Sequence, residues 1–201
     1  MNHQESAWAG EWGDEYTRRN TPNLHSNVIF FGKALQNKAT QNVTSVLELG
    51  AGAGANMQAL GFIYPNACLT GIEINPATTE ILKAHTNWAI CGSVTNIDLA
   101  RTYDLVLTKG FLIHVHPDLI GMVYDTIYKH AARFILVAEY YNPTPVMVEY
   151  RGQKDLLWKR DFAGEMLDRF SDLKLIDYGF VYHRDENPQD DLSWFLMEVK
   201  T

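Results

Sequence analysis

The stretch with the clearest chemical content is residues 46–55, VLELGAGAGA. Gly50, Ala51, Gly52 and Gly54 fall where an apolar run gives way to a helical pattern. A turn without Cβ atoms lets the backbone approach a ligand closely, and the following helix start offers free N–H groups. Two cofactor classes use such a turn. Gly50-x-Gly52-x-x-Ala55 satisfies the dinucleotide pattern. Glu48, two positions ahead of the glycines, favours the other reading, because a carboxylate repels a pyrophosphate and attracts a cationic cofactor such as S-adenosylmethionine. Glu73 follows Gly52 by 21 residues and ends a second apolar run beside Ile74. A carboxylate there can accept both hydroxyls of a ribose, whichever cofactor carries it. Ser93 and Val94, after a third run, are placed to meet an adenine edge. Lys109-Gly110 offers a backbone carbonyl to an ammonium group.

Further candidates stand where open α/β sheets bind ligands, beyond the carboxyl ends of strands. His114 reads as a general base, an acceptor positioner, or a histidine bonded to a loop carbonyl. His116 reads as a helix cap. The pair His114-x-His116 has no third metal ligand at a sensible spacing, so no metal site is expected. Glu139, Tyr140, Tyr141 and Asn142 close the fifth run, and Pro143 and Pro145 stiffen the path after them. They form a candidate wall for a hydroxylated acceptor, and Arg151 adds a planar fork for a carboxylate or phosphate. Trp8, Trp12, Tyr16, Arg18 and Arg19 read as an aromatic lid, or as plain aromatic core, with Tyr16 and Arg19 facing the cofactor and Arg19 paired with its carboxylate.

These residues need a scaffold, and the apolar pattern supplies one. Near-continuous runs at Ser45–Leu49, 68–74, Trp88–Cys91, 103–108 and 133–139 suit strands buried on both faces. Helical patterns at 54–62, 76–84 and 117–129 lie between them; Asn75 and Pro76 form a cap followed by proline at the first helical position. Strand–helix–strand alternation implies a parallel sheet with right-handed crossovers. A helix at 161–169 precedes two long β-rich runs, 173–182 and Leu192–Val199, which read as an antiparallel hairpin closing the sheet. Residues 24–35 read as a helix behind the arm. The expected organisation is one domain over 1–201, with 1–40 as arm and lid and 43–201 as core.

The balance of 17 basic against 24 acidic side chains gives a net charge of −7. Phosphate backbones and anionic membranes call for clustered Lys and Arg, and no such cluster exists. No run of 18 apolar residues is present, and the first residues lack the pattern of a signal peptide. Cys68 and Cys91 sit in apolar runs and read as reduced, buried thiols. The expected setting is cytoplasmic, with a small-molecule acceptor and neither nucleic acid nor membrane as partner; the oligomeric state is not legible.

ELGAGAG, GIEINP and YDLVLTKGFLIHVHP together resemble the class I S-adenosylmethionine-dependent methyltransferases. The resemblance implies a Rossmann-like α/β fold, a seven-stranded, mostly parallel sheet with an antiparallel C-terminal strand and helices on both faces, and S-adenosyl-L-methionine as cofactor. Many members place Asp at the Ser93 position for the adenine amino group; Ser93 departs from that pattern, which shifts the contact toward the backbone at Val94. WAGEWGDEYTRRN, LVLTKGFLIHVHPD, EYYNPTPVMVEYRG and KRDFAGE resemble, more narrowly, the methylases associated with pseudaminic acid biosynthesis. That resemblance implies an acceptor among nonulosonic sugars or their conjugates. Two other readings stand beside it: an NAD-dependent nucleotide-sugar oxidoreductase, against which Glu48 and the lack of a Tyr-x-x-x-Lys pair count, and a non-catalytic cofactor-binding module.

Overall fold

The computed structural model describes residues 3–20, 23–150, 152 and 156–200. Seven strands form one sheet: β1 (Ser45–Leu49), β2 (Cys68–Glu73), β3 (Trp88–Cys91), β4 (Tyr103–Lys109), β5 (Ala131–Glu139), β8 (Leu173–Val181) and β9 (Leu192–Val199). Their order is β3-β2-β1-β4-β5-β9-β8. Every pairing among β1 to β5 is parallel, and β9 runs antiparallel to both β5 and β8. The hairpin expected at the C-terminus therefore inserts its second strand against β5 and leaves β8 at the edge. Strand order reverses beside β1 and β4, which opens a crevice at their carboxyl ends.

Alternation along each strand sends successive side chains to opposite faces. In β1, Val46 faces one core with Phe31 and Leu60, while Leu47 and Leu49 face the other with Val123 and Ile127. The first layer is covered by α3 (Leu24–Ala34) and α4 (Ala55–Ile63), and the second by α6 (Ile120–His130) and α7 (Phe162–Arg169). On α6, Ile120, Val123, Tyr124 and Ile127 are buried at the 3–4 spacing of one helix face. A 3₁₀ turn at Pro117–Leu119 precedes α6, because His116 caps the turn by accepting from the Asp118 N–H at 3.2 Å. α5 (Pro76–Leu82) starts at Asn75, whose side chain accepts from the Thr78 N–H. A two-residue pair, β6 (Val146–Met147) with β7 (Trp158–Lys159), interrupts the expected extended path after β5.

Two expectations change at the sheet edges. β3 is an edge strand, so Trp88 is 62% exposed, and Cys91, read as a buried thiol, is exposed as well. Cys68 is partly exposed, and both cysteines are free. Ahead of the core, the arm is two helices, α1 (His3–Ala9) and α2 (Glu11–Arg19), folded across the crevice. Among the described residues no helix is long and apolar enough to cross a membrane.

Candidate active site

The glycine turn joins β1 to α4 with Gly50, Gly52 and Gly54 at φ of 70°, 52° and 86°. Each glycine has its own reason. A Cβ on Gly50 would lie 2.1 Å from Cδ2 of Phe111, so the neighbouring ring requires its absence. A Cβ on Gly52 would meet nothing within 4 Å, because it faces a cavity. A Cβ on Gly54 would lie 3.0 Å from Leu82 and from His85, so its absence lets α4 lie close to the end of α5. The Ala51 N–H donates to the Ile72 carbonyl at 2.9 Å, tying the turn to β2. Glu73 holds it from the side: Oε2 accepts from the Gly52 N–H at 2.9 Å and Oε1 from the Asn75 N–H at 2.8 Å.

The cavity measures about 520 Å³, a size suited to a nucleoside cofactor and a small second ligand. Gly50, Ala51, Gly52, Glu73, Ile74, Ser93, Val94 and His114 line it. Tyr16 and Lys109 also line it. Glu48, Gly54 and Arg19 do not. Glu48 is fully buried behind Asn56, whose amide donates to Oε1 at 2.6 Å; its Oε2 has no hydrogen-bond partner among the described residues. Burial pushes its carboxyl up to about 8, against the pull of Asn56 and Lys109. Asn56 in turn accepts from the Asn27 amide at 3.2 Å, and Asn27 Oδ1 accepts from Lys109 Nζ at 3.4 Å and from Gln189 at 3.2 Å. Burial also lowers the Lys109 ammonium. The carboxyl expected beside the ligand thus connects to the cavity only through amides.

Asn27, Asn56 and Gln189 had no signal in the sequence, since they come from α3, α4 and the β8–β9 loop and meet only in three dimensions. The sequence marks the arm by its aromatic residues but not by its contacts. Asn75 donates to the carbonyls of Trp8 and Gly10 at 3.2 and 3.3 Å and to the Asp14 carboxylate at 2.8 Å. Thr17 and Thr78 hydroxyls meet at 2.8 Å. Gln4 donates to the His114 carbonyl, and Glu5 Oε1 accepts from the hydroxyls of Ser93 and Thr95. Arg19 lies 5.4 Å from the Trp12 ring and 5.6 Å from the Tyr16 ring, with buried Nε and Nη2 lacking a partner among the described residues.

His114 Nδ1 lies 2.8 Å from the Leu156 carbonyl, which accepts and so requires the proton on Nδ1. Nε2 is then a hydrogen-bond acceptor. Burial lowers the imidazole to about 4, so the ring is neutral at pH 7. Trp8 covers it at 4.6 Å between ring centres and Tyr150 at 5.5 Å. Tyr16 is pushed up to about 12 by burial and then by Tyr150 and Asp190.

The acceptor-wall residues stand apart from this cavity. Glu139 is buried and accepts from the Phe111 and Leu112 N–H groups at 3.1 Å each, holding the turn that carries His114. Burial raises its carboxyl to about 7. Tyr140 lies half-buried with Lys159 Nζ 5.2 Å from its ring, and burial followed by Asp190 raises its hydroxyl. Tyr141 is exposed beside Phe195. Neither tyrosine lines the cavity. Arg151 lies outside the described residues.

Residues 47–130 match the model of a methyltransferase domain. A 70-residue stretch, 33% of this chain, is 27% identical to malonyl-[acyl-carrier protein] O-methyltransferase of Priestia megaterium, and it spans 26% of that protein's length. Among solved structures, magnesium protoporphyrin IX methyltransferase from Synechocystis PCC 6803 with bound SAM superposes at a TM-score of 0.71 and 12% identity, over 100% of this chain and 99% of that one. An amino pentose methyltransferase from Micromonospora echinaspora, also SAM-bound, gives 0.66 and 12% over 95% and 98%. Residues 47–130 thus carry a methyltransferase-domain pattern, and the whole chain shares the Rossmann-like fold of these structures.

Proposed function

We propose that this chain transfers a methyl group from S-adenosylmethionine to an oxygen or nitrogen of a small polar acceptor. The observation that carries the reading is the single cavity lined by the Gly50–Gly52 turn, Glu73 and a neutral, aromatic-covered His114. The residues fit the cofactor, since the Cβ missing at Gly52 leaves open space and Glu73 lines the cavity. When bound, the cofactor supplies an electrophilic methyl on a sulfonium.

The chain's own residues then divide the work. Glu73 accepts ribose hydroxyls, Ala51 and Ile74 pack on the nucleoside, and Ser93 and Val94 meet the base. The Lys109 backbone and the Glu48–Asn56–Asn27 relay face the ammonium group. Arg19, outside the cavity lining, backs the arm with its guanidinium 5.6 Å from the Tyr16 ring. Tyr16 and the arm exclude water. His114, through Nε2, orients the acceptor's hydroxyl or amine, so that reactants meet in line. Glu139 positions His114 by holding its turn, and Tyr140 and Tyr141 form the outer acceptor approach. The acceptor we favour is a nonulosonic, pseudaminic-type sugar or its conjugate, met in the cytoplasm. The sequence motifs support it, as does a fold neighbour described as an amino pentose methyltransferase.

Calorimetry with S-adenosylhomocysteine and with NAD tests the cofactor, and methyl transfer to a panel of carboxylated sugars tests the acceptor. Binding of the homocysteine nucleoside alone is expected. Equal binding of NAD overturns the reading.

A further inference from the structure

Ser93, Val94 and Thr95, from the loop after β3, line the cavity where the base is expected. None of them carries a negative charge. A carboxylate nevertheless stands there, brought from 88 residues away: Glu5, on α1, lines the cavity and directs Oε1 at both the Ser93 and Thr95 hydroxyls, the latter at 3.2 Å. The two hydroxyls are themselves 2.7 Å apart, and the Thr95 N–H donates to Ser93 Oγ at 3.2 Å, so the carboxylate seats on a built loop.

A carboxylate only accepts hydrogen bonds. The six-position of adenine presents an amine, a donor; that of guanine or hypoxanthine presents a carbonyl, an acceptor. A carboxylate opposite the six-position therefore attracts the first and repels the second. The same short helix also contacts the turn of His114, where Gln4 donates to the His114 carbonyl and the Trp8 ring covers the imidazole. Asn75 fixes the helix by donating to the Trp8 carbonyl.

We propose that Glu5 is the residue that reads the adenine amine, so that base selection and closure of the N-terminal arm over His114 are a single event. The proposal rests on the cofactor reading above and adds the residue that gives it base specificity.

The test is calorimetry on the full chain with S-adenosylhomocysteine and with S-inosylhomocysteine, which carries an oxo group in place of the amine. Wild type is expected to prefer the adenine ligand by tenfold or more. Glu5→Ala should weaken S-adenosylhomocysteine about tenfold, the loss of one charge-assisted hydrogen bond. It should leave S-inosylhomocysteine unweakened, so the preference collapses. Should Glu5→Ala lower the ligand-free melting temperature, Glu5→Gln carries the test: its neutral amide keeps the shape and must still lose several-fold of the preference. Full wild-type preference in the folded variant overturns the proposal and leaves the cofactor reading intact. Failure of wild type to bind S-adenosylhomocysteine at all overturns the cofactor reading itself.

Discussion

At the scale of single residues, the glycine turn separates two demands that look alike in sequence. Gly50 and Gly52 both sit at positive φ, but a methyl on the first meets Phe111 and a methyl on the second meets open cavity. Gly50→Ala is expected to cost about 2 kcal/mol or more of stability, from left-handed strain plus overpacking. Gly52→Ala should cost about 1 kcal/mol of stability from strain alone, and weaken S-adenosylhomocysteine by about tenfold because its methyl projects toward the ligand. Urea unfolding and calorimetry separate the two effects. Unaltered binding by Gly52→Ala would show that the turn does not approach the cofactor. The turn's location was legible from the glycine spacing. The partner of each glycine was not, because Phe111, Leu82 and His85 come from other elements.

At the scale of elements, the arm is held where its backbone comes nearest the core. Gly13 on α2 is buried, and a Cβ there would lie 2.0 Å from the Trp8 carbonyl oxygen and 2.9 Å from Nδ2 of Asn75. In an isolated helix alanine is the better residue by about 1 kcal/mol. Here Gly13→Ala should instead lift the arm from Asn75. The expected result is faster proteolysis within 3–20 and an affinity for S-adenosylhomocysteine lowered about tenfold, with the denaturant midpoint of the core little changed. Wild-type affinity in this variant would mean that the arm does not cover the cofactor. The aromatic residues at 8, 12 and 16 mark the arm in the sequence. Gly13 reads there only as a weak helix position, since its value lies in a contact with a residue 62 positions away.

At the scale of the whole molecule, charge buried beneath the site sets a pH dependence. Burial raises Glu48 from 4.5 to about 8 and Glu139 to about 7. Their folded values exceed that of an unfolded chain, so folding favours the neutral acids. That contribution is complete below about 4.5 and is lost as pH rises through 7 and 8. His114, lowered from 6.5 to about 4, acts on the acid side: its contribution is present above 6.5 and is lost as pH falls toward 4. Between pH 6.5 and 9 the glutamates lower stability as pH rises, while Lys109, its ammonium lowered by burial, acts in the opposite sense. Glu48→Gln should lose about 1–2 kcal/mol less than the wild type over that interval, a few degrees in melting temperature. The measurement is thermal unfolding at half-unit steps of pH. Parallel curves for variant and wild type would show that Glu48 does not titrate there.

What the sequence by itself determined is what depends on near neighbours: the strand–helix alternation, the glycine turn after β1, the Asn75 cap and the carboxylate 21 residues past Gly52. Periodicity and turn chemistry act over a few residues, so they leave a local trace. Only the tertiary structure decided which charges face the ligand. Glu48 and Glu139 both stand at or next to the last residue of a strand, yet one turns to Asn56 and the other caps the Phe111–Leu112 turn. Glu5 and Gln189, in polar segments without a motif, reach the cavity because α1 and the β8–β9 loop fold over the sheet's carboxyl end. A side chain's role at such a site is set by the partners that packing brings within hydrogen-bond distance, and those partners are scattered along the chain.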